Sequence, residues 1–246
     1  MHSVLRVLTD KPWRAEAVAQ LLMAAAVCLI LSSFWLVPDA DHSGGSTSAL
    51  RTLGATLTFQ GAVVGMLWFF TRQHAISLRE AFGLHLRPGR AVLFGVLIAL
   101  GFVPVAQWLQ TGTLKLAELL HVHLPEQNAV TLLKVAGSWP ERAALGFMAI
   151  IAAPLAEEGL FRGVFYPALR QHGFPNAALW VTSLGFAAIH GNALIFIPLV
   201  VLALVLVKLY EHTGNLLACI VCHATFNAYN FVMLFALNDA TTPPGP

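Results

Sequence analysis

Seven apolar runs fix the class of structure open to this chain: about Ala17–Val37, Leu53–Phe70, Ala91–Leu109, Ala143–Leu169, Asn176–His190, Ala193–Leu209 and Leu216–Leu237. A backbone inside a bilayer has no water to bond and must close its hydrogen bonds within itself, which leaves helices or closed barrels. Runs of this length suit helices rather than the shorter strands of a barrel. The expected fold is all-α, a polytopic transmembrane helix bundle of seven spans. Composition agrees: the chain is 57% hydrophobic and 11% charged, with mean hydropathy +0.72, against roughly 25% charged in a soluble domain.

The same numbers exclude some functions. A net charge of +2 is too small for a nucleic-acid partner, and the Lys and Arg residues form no polybasic tail. The polar first 16 residues precede the first run with no small-residue cleavage site after it, so that run reads as a retained helix. The three cysteines, Cys28, Cys219 and Cys222, lie in apolar runs and indicate no disulfide framework.

Between the spans, Pro38–Ser48, with Asp39 and Asp41, reads as a polar loop, and Leu78–Leu86, flanked by Arg72, Arg79, Arg87 and Arg90, as an amphipathic interfacial piece. Thr111–Arg142 reads as one or two interfacial helices interrupted by Pro125; if part of it re-enters, the spans number eight. Arg6, Lys11, Arg14, Arg72, Arg79, Arg87, Arg90, Arg170 and Lys208 fall on one side of such a bundle and Arg51, Lys115, Lys134 and Arg142 on the other. The richer side is then cytoplasmic. The chain divides into N-terminal membrane helices and interfacial segments (1–142), a segment holding the polar residues (143–238) and a disordered tail (239–246).

Charge inside a span is costly and by default marks function. Glu157 and Glu158 sit side by side in the fourth run, with Arg162 four residues on. Residues i and i+4 share a helix face, so Glu158 and Arg162 can neutralise each other, while Glu157, turned about 100° away, keeps its carboxylate. Phe186 and His190 in the fifth run, and His223 and Asn227 in the seventh, repeat the i, i+4 spacing. At 1.5 Å per residue, Glu158, His190 and His223 lie about 15, 20 and 14 Å from the cytoplasmic ends and can meet near one level. On that count the site is expected to open toward the cytoplasm.

A carboxylate and an imidazole in a dry site can activate water. Glu157 and His190 fit that division, with His223 and the Asn227 amide facing a developing oxyanion. A proton-coupled transporter and a non-catalytic scaffold or immunity protein are the competing readings. Glu157, His190 and His223 also make a plausible zinc set, although no His-Glu-x-x-His pairing places two ligands on one helix face. Cys219-Ile-Val-Cys222-His223 matches a haem attachment motif, but lies within an apolar helix where the macrocycle would need a cavity.

The ordered set Glu157-Glu158-x-x-x-Arg162, Phe186-x-x-x-His190 and His223-x-x-x-Asn227, on separate helices, resembles the CPBP family of intramembrane proteases, which includes the Rce1-type CAAX prenyl endopeptidases and bacterial Abi proteins. The resemblance covers about residues 143–238. It implies an endopeptidase without a metal cofactor, with Glu157 the water-activating base, His190 its partner on the water, and His223 with Asn227 the oxyanion site. Glu158 and Arg162 would be the supporting pair, and Phe186 would pack the site. The implied substrate is a membrane-associated protein or peptide, and the expected location is a bacterial inner membrane.

Overall fold

The computed structural model describes residues 11–34, 45–136 and 138–241, all helix and connection. Arg6, the loop carboxylates Asp39 and Asp41, and the tail beyond Thr241 lie outside these residues, as does the side chain of Arg51. The helices are α1 (Ala15–Phe34), α2 (Gly45–Gln73), the short α3 (Leu78–Ala81), α4 (Pro88–Leu119), α5 (Asn128–Val135), α6 (Trp139–Gln171), α7 (Pro175–Ala188), α8 (Ala193–Thr213) and α9 (Leu216–Thr241).

Among the described residues six helices, α1, α2, α4, α6, α8 and α9, are long and apolar enough to cross a membrane. This corrects the expectation of seven or eight. The expected fifth span is α7, whose 14 residues cover about 21 Å, short of a hydrocarbon core of about 30 Å. It starts at Pro175, and Gly191, at φ 60°, turns the chain after it. The expected interfacial helices at 111–142 are also revised. Helix α4 continues through Thr111 to Leu119 as one rod of 32 residues, about 48 Å long, because the single Gly112 weakens the helix without ending it. Only α5 remains a separate short helix there.

Local chemistry fixes the other boundaries. Ser138 and Glu141 form a capping box that starts α6, Asn192 accepts the Leu194 N–H to start α8, and Gly214 closes α8 in the left-handed conformation. Helix α6 is not a regular rod. Its turns widen to π-helix at Met148–Ala152 and Gly159–Phe165, each just before a proline, Pro154 and Pro167. Proline has no N–H to donate and crowds the carbonyl four residues back, and a widened turn absorbs that defect. The two glutamates sit between the two widened turns.

Hydrogen bonds identify the ends of the bundle. Lys11 Nζ donates to the Ala81 carbonyl, Gln171 Nε2 to Trp13 O at 2.9 Å, Asn215 Nδ2 to Leu86 O at 2.7 Å, and Leu216 N to Phe82 O at 2.9 Å. These contacts gather Lys11, Arg170, Lys208 and the basic interfacial segment at one end. At the same end Tyr166 donates to Glu211 at 2.5 Å, Arg170 pairs with Glu211, and Lys208 lies 2.8 Å from it. The other end is marked by Asn192 Nδ2, which donates to Pro125 O at 3.2 Å, and by a Lys134–Glu126 ion pair at 2.6 Å.

One buried core joins the early and late helices, running from Trp13 through Leu67, Phe102, Phe161 and Phe186 to Cys222. Helices α4 and α9 pack tightly at Gly95, where an added Cβ would stand 2.8 Å from the Ala218 carbonyl oxygen and 2.9 Å from Val221 Cβ. Small residues at such crossings let backbones approach. Because the obstacle is backbone, Gly95→Ala is expected to lower stability by about 1–3 kcal/mol, read as an earlier unfolding midpoint in mixed micelles. An unchanged midpoint would show that the two helices can separate at no cost.

Candidate active site

Three helices bring the intramembrane polar residues together. Glu158, on α6, places Oε1 2.9 Å from Arg162 Nη1, and both side chains are fully buried. The guanidinium also donates to the Ala203 carbonyl on α8 at 3.3 Å and lies 4.4 Å from the centroid of the Phe186 ring. The pairing expected from i, i+4 spacing is therefore present. A further bond is one that local spacing does not reveal: His223 Nδ1, on α9, lies 2.9 Å from the same Glu158 Oε1. A carboxylate held by arginine is an acceptor, so His223 donates its Nδ1 proton and presents Nε2 on the other side of the ring.

His190, on the turn that ends α7, is oriented by its own backbone. Its Nδ1 lies 2.8 Å from the Phe186 carbonyl, which can only accept, so Nδ1 carries a proton and Nε2 of the neutral ring holds a lone pair. Phe186 is fully buried, with its ring centroid 5.0 Å from His190 and 5.7 Å from His223. It separates and aligns the two imidazoles.

Glu157 is the point where the rings converge. Its Oε2 lies 3.9 Å from His190 Nε2 and 4.0 Å from His223 Nε2. That oxygen is buried and has no hydrogen-bond partner among the described residues. A water about 2.8 Å from both Glu157 Oε2 and His190 Nε2 fits this separation, with an angle near 90° between its two acceptors. Side-chain exposure is 26% at His190, 14% at Glu157 and 3% at His223, so the cluster is open on the His190 side.

Asn227 occupies a different place from the one its spacing suggests. Its Nδ2 donates to Ala149 O at 2.8 Å, within the first widened turn of α6, and among the described residues no hydrogen bond joins it to His223, Glu157 or His190. One amide proton is thus committed to α6, and the other has no partner among the described residues. The Tyr166–Arg170–Glu211–Lys208 cluster went unread in the sequence as a unit, although Tyr166/Arg170 and Lys208/Glu211 have helical contact spacing. It ties the basic end of α6 to α8 and stands apart from Glu157.

Zinc fits this arrangement poorly. Ligand atoms around tetrahedral zinc, at about 2.0–2.1 Å from the metal, lie about 3.3 Å apart, closer than the 3.9 and 4.0 Å separations here. Among the described residues no three His, Cys, Asp or Glu side chains are grouped as a metal centre requires. Cys219 and Cys222 are buried free thiols, and Cys219 Sγ is committed to Leu206 O at 3.2 Å. Neither their burial nor the use of His223 by Glu158 suits haem attachment.

Comparison with protein families gives a match over residues 139–229, to the Rce1-like type II CAAX prenyl endopeptidases. Comparisons with curated proteins and with solved structures gave no match. The matched stretch opens at the start of α6, ends on α9, and contains Glu157, Glu158, Arg162, Phe186, His190, His223 and Asn227. Residues 139–229 are therefore similar to an Rce1-like type II CAAX prenyl endopeptidase, and they span the helices on which all of these polar side chains stand.

Proposed function

We propose that the protein is an intramembrane endopeptidase that hydrolyses a peptide bond of a membrane-associated protein with water activated by Glu157. The observation that carries this reading is the buried, unpartnered Glu157 Oε2 facing two imidazole nitrogens at 3.9 and 4.0 Å. The match of residues 139–229 to Rce1-like CAAX prenyl endopeptidases supports it.

A water between Glu157 and His190 donates one proton to each acceptor and turns its lone pairs outward, toward a substrate carbonyl. Attack on that carbonyl forms the new C–O bond as the water proton passes to Glu157. The tetrahedral oxyanion requires a donor. Glu157, Glu158 and Arg162 together carry one excess negative charge, so His223 protonated on both nitrogens makes the buried cluster neutral and supplies an Nε2–H toward the oxyanion. The uncommitted proton of Asn227 Nδ2 is the second donor in this proposal. Collapse of the intermediate breaks the C–N bond, and Glu157 returns its proton to the leaving amine. The products are a carboxylic acid and an amine, which ionise to a carboxylate and an ammonium on release.

Access is from the His190 side, which differs from the expectation of a cytoplasmic opening. His190 stands two residues before Asn192, whose amide holds the 125–126 loop, at the end opposite the basic residues. The substrate's peptide bond then enters beside the short helix α7. The defining experiment compares protein N-termini in membranes carrying the wild type or Glu157→Gln. New termini that appear only with the wild type identify substrates, and identical sets in the two membranes would overturn the assignment.

The water mechanism also predicts indifference to chelation. Turnover by the purified protein is expected to survive prolonged chelator treatment, with metal content below about a tenth of an equivalent, because metal-bound states require deprotonated ligands grouped in one coordination shell. Chelator-sensitive activity restored by added zinc would make His190 and His223 ligands and remove Glu157 as an independent base.

A further inference from the structure

The membrane-facing side of α2 ends in a second candidate site, separate from the polar cluster. A cavity of about 420 Å³ opens where α2 gives way to the turn before α3, lined by Trp68, Thr71, Arg72, Ile76, Ser77 and Leu78. The polar groups around it are mostly committed. Thr71 donates to Trp68 O at 2.9 Å, and Ser77 exchanges hydrogen bonds with Glu80. Arg72 differs. Its guanidinium carbon lies 5.2 Å from the Trp68 ring centroid, and among the described residues it pairs with no carboxylate. A guanidinium stacked on an indole keeps its N–H edges available, and those edges match the two oxygens of a phosphodiester.

The surroundings match a lipid in both charge and shape. Arg79, Arg87 and Arg90 follow on the same basic end, so the local field favours an anionic headgroup. Leu57, Val64 and Trp68 are 37%, 43% and 50% exposed and recur at i, i+7 and i+11. They form one stripe that reaches Arg72 a turn later. We propose that this pocket binds an anionic phospholipid, with the phosphodiester on the Arg72 guanidinium, the glycerol against the Trp68 ring and an acyl chain along Val64 and Leu57. A second copy of the chain is the competing occupant, since Gly61 and Gly65 lie on the same face with open space around them and small residues four apart favour helix pairing. Pairing through that face would bring two Arg72 side chains together without a carboxylate between them, and like charges there repel. The lipid satisfies the same arginine.

The test is native mass spectrometry of the delipidated full chain titrated with phosphatidylglycerol or phosphatidylcholine. Loss of the bidentate contact in Arg72→Gln is expected to weaken phosphatidylglycerol binding about tenfold, with lipid-free melting unchanged. Arg72→Lys should recover part of that loss, and Arg79→Gln, outside the cavity, should change binding less than about twofold. Equal losses in Arg72→Gln and Arg79→Gln would replace the site by a diffuse charge effect. Binding by Arg72→Gln equal to wild type would also overturn the proposal. A dimeric mass that Gly61→Leu abolishes would assign the face to a second copy.

Discussion

Replacing Glu157 with glutamine is expected to lower turnover by about 10²- to 10⁴-fold, the range that a positioned general base contributes, while leaving the folded protein nearly as stable as wild type. Both halves of that result follow from where the carboxylate sits. Oε2 faces His190 and His223 with no hydrogen bond among the described residues, so the substitution breaks no such contact at that oxygen. Glutamine occupies nearly the same volume but cannot take the proton of an attacking water. The measurement is a single-turnover cleavage assay beside unfolding in mixed micelles. Retained turnover, or a midpoint that falls as far as that of a Glu158 variant, would exchange the roles of the two glutamates. His190→Ala is a weaker change in the same assay, because the water loses one acceptor and keeps the base.

The contact between Glu158 and Arg162 is legible in the sequence because helix geometry is local. A spacing of four residues places Glu158 over Arg162 whether or not the surrounding bundle is known, and the 2.9 Å contact is the result. The same rule misleads for the other pairs. Phe186 and His190 do meet, but through the Phe186 carbonyl as well as the rings. His223 and Asn227 share a helix face without bonding to each other. Each reaches a different part of α6, His223 to Glu158 and Asn227 to Ala149 O.

These partners lie 65 and 78 residues away in sequence, and no periodicity on α9 could name them. The carbonyl that Asn227 finds stands in a widened turn before Pro154, a proline visible in the sequence whose effect depends on how the helix absorbs it. Span counting failed for a different reason, which the sequence does carry. The run at 176–190 is already short of the roughly 20 residues a spanning helix needs, and its helix ends at Ala188, where the chain turns at Gly191. The polar loop expected to extend to Ser48 gives way to helix from Gly45, where Gly and Ser residues are weak helix formers but serve at a helix start.

The buried ion pair should respond asymmetrically to loss of either member, because His223 can substitute for only one of them. In Glu158→Leu, Arg162 keeps its charge with the Ala203 carbonyl and the face of Phe186 but loses its carboxylate. Stability is expected to fall by about 3–5 kcal/mol, the cost of orphaning a buried charge. In Arg162→Leu, Glu158 keeps the hydrogen bond from His223 at 2.9 Å, so the loss is smaller. The double variant Glu158→Leu/Arg162→Leu removes both charges and should recover stability to within about 1–2 kcal/mol of wild type, since no isolated ion remains to be buried. Turnover should not return with it. His223 Nδ1 then has no acceptor, and the ring loses both the orientation and the counter-charge that direct its Nε2–H at the oxyanion. Unfolding midpoints and single-turnover rates of the three variants separate the two contributions. A double variant as unstable as Glu158→Leu would show that the pair is not coupled, and a double variant with wild-type turnover would limit Glu158 to holding the helices together.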